Sequence, residues 1–168
     1  IQAGGGLRSA EAVEAALEAG ADAAILGTAA IEVPGFAAAC AARWPGRVLV
    51  SLDLRDGRPA LDGWRRQAGD EPLELAAGLL EAGVTGLLLT DTQRDGTLAG
   101  PNLALLASFR RAFPDAWLAG AGGIGSIADL LAVRDAGLDG AVVGLALLSG
   151  TIRLPDALAV VAAREVVG

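Results

Sequence analysis

Two stretches decide the fold: IQAGGGLRSAEAVEAALEAGADAAILGTAA at residues 1–30 and LAGAGGIGSIADLLAVRDAGLDGAVVGLAL at residues 118–147. They align without a gap at an offset of 117, and ten of 30 positions are identical, including Gly5/Gly122, Gly6/Gly123, Ser9/Ser126, Gly20/Gly137 and Gly27/Gly144. Shared βαβ grammar alone produces some of these glycines. We read the match as a duplication. Each copy runs strand, Gly-rich turn, amphipathic helix, strand, because short apolar runs flank a stretch with helical apolar spacing.

Working outward, the same grammar continues between and beyond the copies. Strands are expected at residues 1–3, 23–26, 48–53, 86–90, 116–119 and 140–143, and helices at 10–19, 35–42, 73–82, 103–113, 127–136 and 155–163. Glu18-Ala19-Gly20, Glu81-Ala82-Gly83 and Asp135-Ala136-Gly137 each put a glycine where a helix ends in a left-handed residue. Unbroken apolar strands such as Leu87-Leu88-Leu89 are covered on both faces, which points to a parallel sheet. Two further units lie between the copies, so one repeat holds four βα units and two repeats make eight. The expected fold is α/β: a single incomplete domain over residues 1–168, with the last six βα units of a (βα)8 TIM barrel. A doubly wound open sheet is the competing fold, but it leaves the four-unit repeat unexplained.

Composition narrows the chemistry. The 168 residues are 53 % hydrophobic and 20 % charged, enough for one buried core. The chain has no His, Lys or Tyr, which excludes imidazole bases, Schiff-base lysines and Ser-His-Asp triads, and leaves proton transfer to Asp or Glu. One cysteine, Cys40, sits in an Ala-rich helical stretch; disulfide frameworks and cysteine zinc sites are excluded, and a reducing, cytoplasmic setting is expected. A net charge of −7 argues against a nucleic-acid partner, and no apolar run has the length of a membrane span. The chain lacks methionine and opens on Ile1, so it is read as a piece of a longer protein.

Barrel chemistry gathers at the C-terminal ends of strands. There, Gly4-Gly5-Gly6 and Gly122-Gly123 let backbone N–H groups approach an anion, and the helices opening at Ser9 and Ser126 add their positive ends. Gly27-Thr28 and Gly144-Leu145 supply a second turn beside each loop. Two symmetric phosphate sites suit a bisphosphate. Asp53 ends an apolar strand, where a carboxylate is costly unless it faces the barrel mouth; it is the candidate acid or base, with pairing to Arg55 as the plain alternative. Thr90-Asp91 ends the next strand, ahead of Arg94-Asp95-Gly96-Thr97, which reads equally as an ordinary turn. Trp64 lies in the long stretch after the third strand, placed either to stack on a planar base or to anchor the loop; Trp44 and Trp117 are expected at the opposite, structural end.

The segments QAGGGLRS, ILGTAA, SLDLRDGRPALDGW, LLLTDTQRDGTLAGPNL, AGGIGS and AVVGLAL together resemble the phosphoribosylformimino-5-aminoimidazole carboxamide ribotide isomerases of histidine biosynthesis, in order and spacing across essentially the whole chain. The related cyclases share the barrel, but DGTLAGPN and DGW are similar to the isomerases. The resemblance implies an Amadori rearrangement with Asp53 as the general acid on the ribose ring oxygen and Thr90 assisting. It further implies Gly5, Gly6, Gly27 and Thr28 on one phosphate, Gly122, Gly123 and Gly144 on the other, Arg8 and Trp64 on the middle of the substrate, and Asp95 ordering its loop. It implies no metal and no organic cofactor, and a full-length protein that is a monomer. Leu145 stands where the family has Arg or Lys, and Gly125 where Ser is common, which weakens the second phosphate site. The family's C2 base would fall at 53 − 117 = −64, before Ile1, so the chain alone is expected to be inactive and, with strand edges open, to self-associate. The alternatives are a bifunctional isomerase that also takes phosphoribosylanthranilate, a cyclase-type barrel, a non-catalytic phosphate-binding module, and a flavin-binding phosphate barrel.

Overall fold

The computed structural model describes residues 1–162. The first half of the chain runs β1 (Gln2–Gly4), α1 (Ala10–Glu18), β2 (Ala23–Leu26), α2 (Thr28–Glu32), α3 (Phe36–Arg43), β3 (Val48–Arg55), β4 (Arg58–Leu61) and β5 (Arg66–Gln67). The second half runs α4 (Pro72–Glu81), β6 (Gly86–Asp91), α5 (Leu103–Ala112), β7 (Trp117–Ala121), α6 (Ile127–Asp135), β8 (Gly140–Val142), α7 (Leu145–Leu148) and α8 (Leu154–Ala162). Six strands pair in parallel in the order β1-β2-β3-β6-β7-β8, each following its predecessor through a helix. This is the wall of a (βα)8 barrel over six units. Among the described residues, β1 and β8 each pair on one side only.

Side-chain alternation gives the wall two different faces. Val48, Val50, Leu52 and Leu54 of β3, Leu87 and Leu89 of β6 and Leu118 of β7 are at most 2 % exposed, and pack with Val13, Cys40, Leu79, Phe109 and Val133 of the helices. Burial at that level is worth about 1.5–3 kcal/mol per large side chain. Cys40 lies in this layer, and burial pushes its thiol up. The opposite face carries Ile25, Ser51, Asp53 and Leu88, all only half-buried. Asp53, the candidate acid or base, therefore sits on the inner face of the wall.

Helix signals act as their chemistry requires. Ser9 and Ser126 cap α1 and α6 with near-identical backbones (φ −143, ψ 161 and φ −145, ψ 164), each hydroxyl accepting from the N–H three residues on. Gly20, Gly83 and Gly137 follow the C-caps with φ of 104, 90 and 85°.

Several expectations about element boundaries are corrected. Strand three runs to Arg55, the strand expected at 86–90 to Asp91, and the strand expected at 116–119 occupies Trp117–Ala121. The short helices α2 and α7 were not expected, nor was the hairpin β4–β5 in the stretch after β3. Both reversals have local causes. Asp56 and Gly57, at φ 51 and 73°, form the two-residue turn that brings β4 back along β3, pairing Arg55 with Arg58 and Leu54 with Pro59. Residues 62–65 then turn the chain so that Ala60 pairs with Gln67 and Leu61 with Arg66. The last residue of the helix expected at 155–163, Ala163, lies outside the described residues.

Candidate active site

A cleft of about 440 Å³ opens at the C-terminal ends of β1, β2 and β3. Gly4, Gly5, Gly6, Arg8, Gly27 and Thr28 line one side of it, and Ser51, Asp53, Asp62 and Gly63 the other. Asp53 and Thr90 are register partners on adjacent parallel strands, so their side chains leave the wall on the same face. Asp53 is fixed in one orientation by two donors: the Ser51 hydroxyl reaches Oδ1 at 2.7 Å and the Trp64 indole N–H reaches Oδ2 at 2.7 Å. Arg55, the alternative partner, instead donates to the Trp64 carbonyl at 3.4 Å. Ser51 was missed in the sequence, although its place two residues before Asp53 puts it on the same strand face. The structure brings Trp64 to Asp53, with its polar edge spent on that carboxylate.

Thr28 opens α2 beside Gly27, and its hydroxyl oxygen accepts from the Asp62 N–H at 2.9 Å. That leaves the hydroxyl proton free to donate, the arrangement an anion needs. The second carboxylate lining the cleft, Asp62, is bonded to Arg66 at 2.7 Å, and Arg66 also bonds Glu32 at 2.5 Å. The hydrogen bond to Glu32, then that to Asp62, raises the proton affinity of the guanidinium. Arg8 stands exposed at the rim.

The second loop is different. Gly122, Gly123 and Gly144 line a shallow depression of about 20 Å³ with Asp95, Leu98 and Leu145. No basic side chain lines it, and Asp95 brings a negative charge. Leu98 explains Gly125: a Cβ there would lie 2.7 Å from the Leu98 carbonyl oxygen. The Gly125 N–H is taken by Asp129 at 3.0 Å, a bond that Ala12 at the equivalent position of the first loop has no side chain to make. The loop from 91 to 102 is ordered mainly by residues other than Asp95. Asp91, only 7 % exposed, accepts from the Asn102 amide at 2.7 Å and from the Gln93 N–H at 3.0 Å, and Arg94 donates to the Gly100 carbonyl at 3.0 Å. Asp95 is exposed and contributes its backbone N–H to the Asp91 carbonyl at 3.1 Å. Among the described residues no group of three or more His, Cys, Asp or Glu is placed to hold a metal ion.

The cleft has a glycine-rich turn on one wall and a strand-end carboxylate on the other, and the sequence that builds it matches a known family. Residues 1–153 match the histidine biosynthesis protein family. The chain belongs to this family. Its relatives include 1-(5-phosphoribosyl)-5-((5-phosphoribosylamino)methylideneamino) imidazole-4-carboxamide isomerases. The one from Gloeobacter violaceus is 45 % identical over 161 residues, covering 94 % of this chain and 63 % of the relative. That from Synechococcus sp. is 43 % identical over 158 residues, covering 94 % of this chain and 62 % of the relative. That from Xanthobacter autotrophicus is 42 % identical over 167 residues, covering 98 % and 68 %. The chain thus spans a little under two thirds of the length of the first two histidine-biosynthesis relatives.

Proposed function

We propose that the full-length protein is a ribotide isomerase of histidine biosynthesis, converting a bisphosphorylated imidazole carboxamide aminoaldose to the aminoketose. The observation that carries this reading is Asp53 at a strand end in the lining of a cleft that also holds the Gly4–Gly6 turn, with Thr90 its register partner on the next strand. In it, the phosphate nearest that turn is held by the N–H groups of Gly5, Gly6 and Gly27 and by the Thr28 hydroxyl, with Arg8 neutralising charge at the rim. Asp53 donates its proton to the ribose ring oxygen as the C1–O bond breaks, which opens the ring to an imine; loss of the C2 proton then gives the enolamine that rearranges to the ketose. Thr90, beside Asp53, donates a hydrogen bond to the opening sugar. The distal phosphate rests on Gly122, Gly123 and Gly144, with backbone donors only, and Trp64, seated beside Asp53, covers the middle of the substrate. Asp95 lines that distal end.

The same reading places the protein in the cytoplasm as a monomer acting on a soluble bisphosphate, without nucleic-acid or membrane partners; among the described residues no helix is long and apolar enough to cross a membrane. It also treats residues 1–30 and 118–147 as an internal repeat that supplies the two anion loops. A second reading, a bifunctional isomerase that also accepts phosphoribosylanthranilate, is favoured by one observation: the distal depression is small and lacks a cation, so a substrate with a single phosphate loses little there. Assaying both substrates on the full-length protein and on Asp53→Asn decides among these. Turnover of the bisphosphate that disappears in the variant supports the isomerase; turnover of both substrates supports the bifunctional enzyme. No turnover of either leaves a phosphate-binding scaffold.

A further inference from the structure

Asp62, Gly63 and Trp64 turn the β4–β5 hairpin with three successive left-handed residues, at φ 52, 62 and 70°. Residues bearing a Cβ hold that conformation only where the surroundings over-determine it. Two of these three carry one. The surroundings here are α2. Its first residue, Thr28, accepts the Asp62 N–H at 2.9 Å, and its last, Glu32, accepts from Arg66 Nη2 at 2.5 Å. Arg66 Nε meanwhile donates to Asp62 Oδ2 at 2.7 Å. The tip of the hairpin is thus moored to both ends of one short helix, and what the turn delivers is the Trp64 indole N–H on Asp53 Oδ2 at 2.7 Å.

We propose that Arg66 is a positioning residue: by bridging Asp62 to Glu32 it locks the turn onto α2 and so holds Trp64 against Asp53. The proposal rests on Asp53 being the acid of the isomerase reaction. Arg66 itself does not line the cleft, and its side chain is 52 % exposed, so it acts through the turn and not on substrate. The guanidinium suits this task because its planar fork reaches two carboxylates at once, which a lysine ammonium does less well. A guanidinium from the end of β3, Arg55, reaches the Trp64 carbonyl at the long distance of 3.4 Å. The bridge therefore joins the Thr28 hydroxyl in restraining the turn on the α2 side.

The test measures tryptophan emission and steady-state kinetics on the full-length protein and its variants. The chain has three tryptophans, so the Trp64 signal is taken as the difference between each protein and its Trp64→Phe counterpart. In Arg66→Gln the Trp64 emission is expected to move to longer wavelength as the indole leaves its half-buried seat. Glu32→Gln, which cuts the same bridge from the helix side, produces the same shift, and Arg66→Lys keeps part of the native signal. The kcat of Arg66→Gln falls roughly threefold to tenfold with KM changed less than about twofold, the scale of a networked exposed ion pair. On the Trp64→Phe background the substitution adds no further loss, because the residue through which Arg66 acts is already altered. An unmoved Trp64 emission in Arg66→Gln, or losses that multiply across the two substitutions, overturns the proposal. Should Arg66→Gln fail to fold, Glu32→Gln carries the same comparison. Full turnover in Asp53→Asn would sink the isomerase reading alone, because the emission measurement still decides what Arg66 holds.

Discussion

One added methyl group separates the two glycine loops. At Gly123 a Cβ would lie 2.3 Å from the Gly100 carbonyl oxygen, and at Gly122 2.6 Å from that of Asp91, with φ of 81 and 92°. At Gly5 and Gly6 nothing lies within 4 Å, and only the left-handed φ of 95 and 70° penalises a side chain. Gly123→Ala is therefore expected to lower stability by about 3 kcal/mol or more, and Gly6→Ala by about 1–2 kcal/mol. Urea unfolding of both variants checks the order; equal losses would mean that the second loop yields where the packing says it is locked. At this scale the sequence was partly legible. Asp53 stands out because a carboxylate at the end of an apolar run has few cheap places to go. The role of Ser51 follows from strand alternation once Asp53 is chosen. The turning of Trp64 onto Asp53 does not, because it depends on a hairpin tip whose conformation is set by α2.

At the scale of elements, α5 shows how a barrel helix is tied to the strand before it. Asn102 caps α5, its side-chain oxygen accepting from the Leu105 N–H at 3.2 Å, while its amide donates to Asp91 at 2.7 Å. One side chain thus satisfies a helix end and a buried carboxylate. Asn102→Ala is expected to destabilise by about 2–3 kcal/mol, more than the ~1 kcal/mol of a lost cap, because Asp91 is left short of a donor. Asn102→Asp keeps the cap but sets two carboxylates together, and is expected to do no better. Thermal melts of the two variants read this directly; a loss under about 0.5 kcal/mol in Asn102→Ala would show that Asp91 finds another donor. The parallel order of the six βα units was legible, since apolar runs and helix-ending glycines punctuate each of them. Asp56-Gly57 between two apolar segments signals the turn from β3 into β4, but β4 and β5, four and two residues long and beginning beside a proline, carry no strand pattern of their own. The Asp91–Asn102 contact had no such signal: eleven residues separate the pair, and only the folded loop brings them together.

The molecule presents two unlike faces and, among the described residues, two strand edges that pair on one side only. The helix-facing layer is sealed, while the inner face and the β8 end leave Val142, Leu145 and Leu148 between 42 % and 88 % exposed. Unpaired parallel edges beside exposed leucines favour association. The 168-residue chain alone is expected to sediment as species larger than 16.7 kDa, in proportions that rise with concentration; a single monomer across a hundredfold range would contradict this. Repeat spacing made the barrel grammar legible at this scale. The inequality of the two loops was not, because it comes from Asp91, Leu98 and Gly100 packing against one of them and from an open cleft beside the other. Turnover of the bisphosphorylated aminoaldose by the full-length protein, measured beside Asp53→Asn, decides whether that cleft is an isomerase site. Conversion by the wild type is expected, with a loss of about 10²- to 10⁴-fold in the variant. A wild type that binds the substrate without converting it, or a variant that converts it undiminished, would rule out Asp53 as the acid of an isomerase.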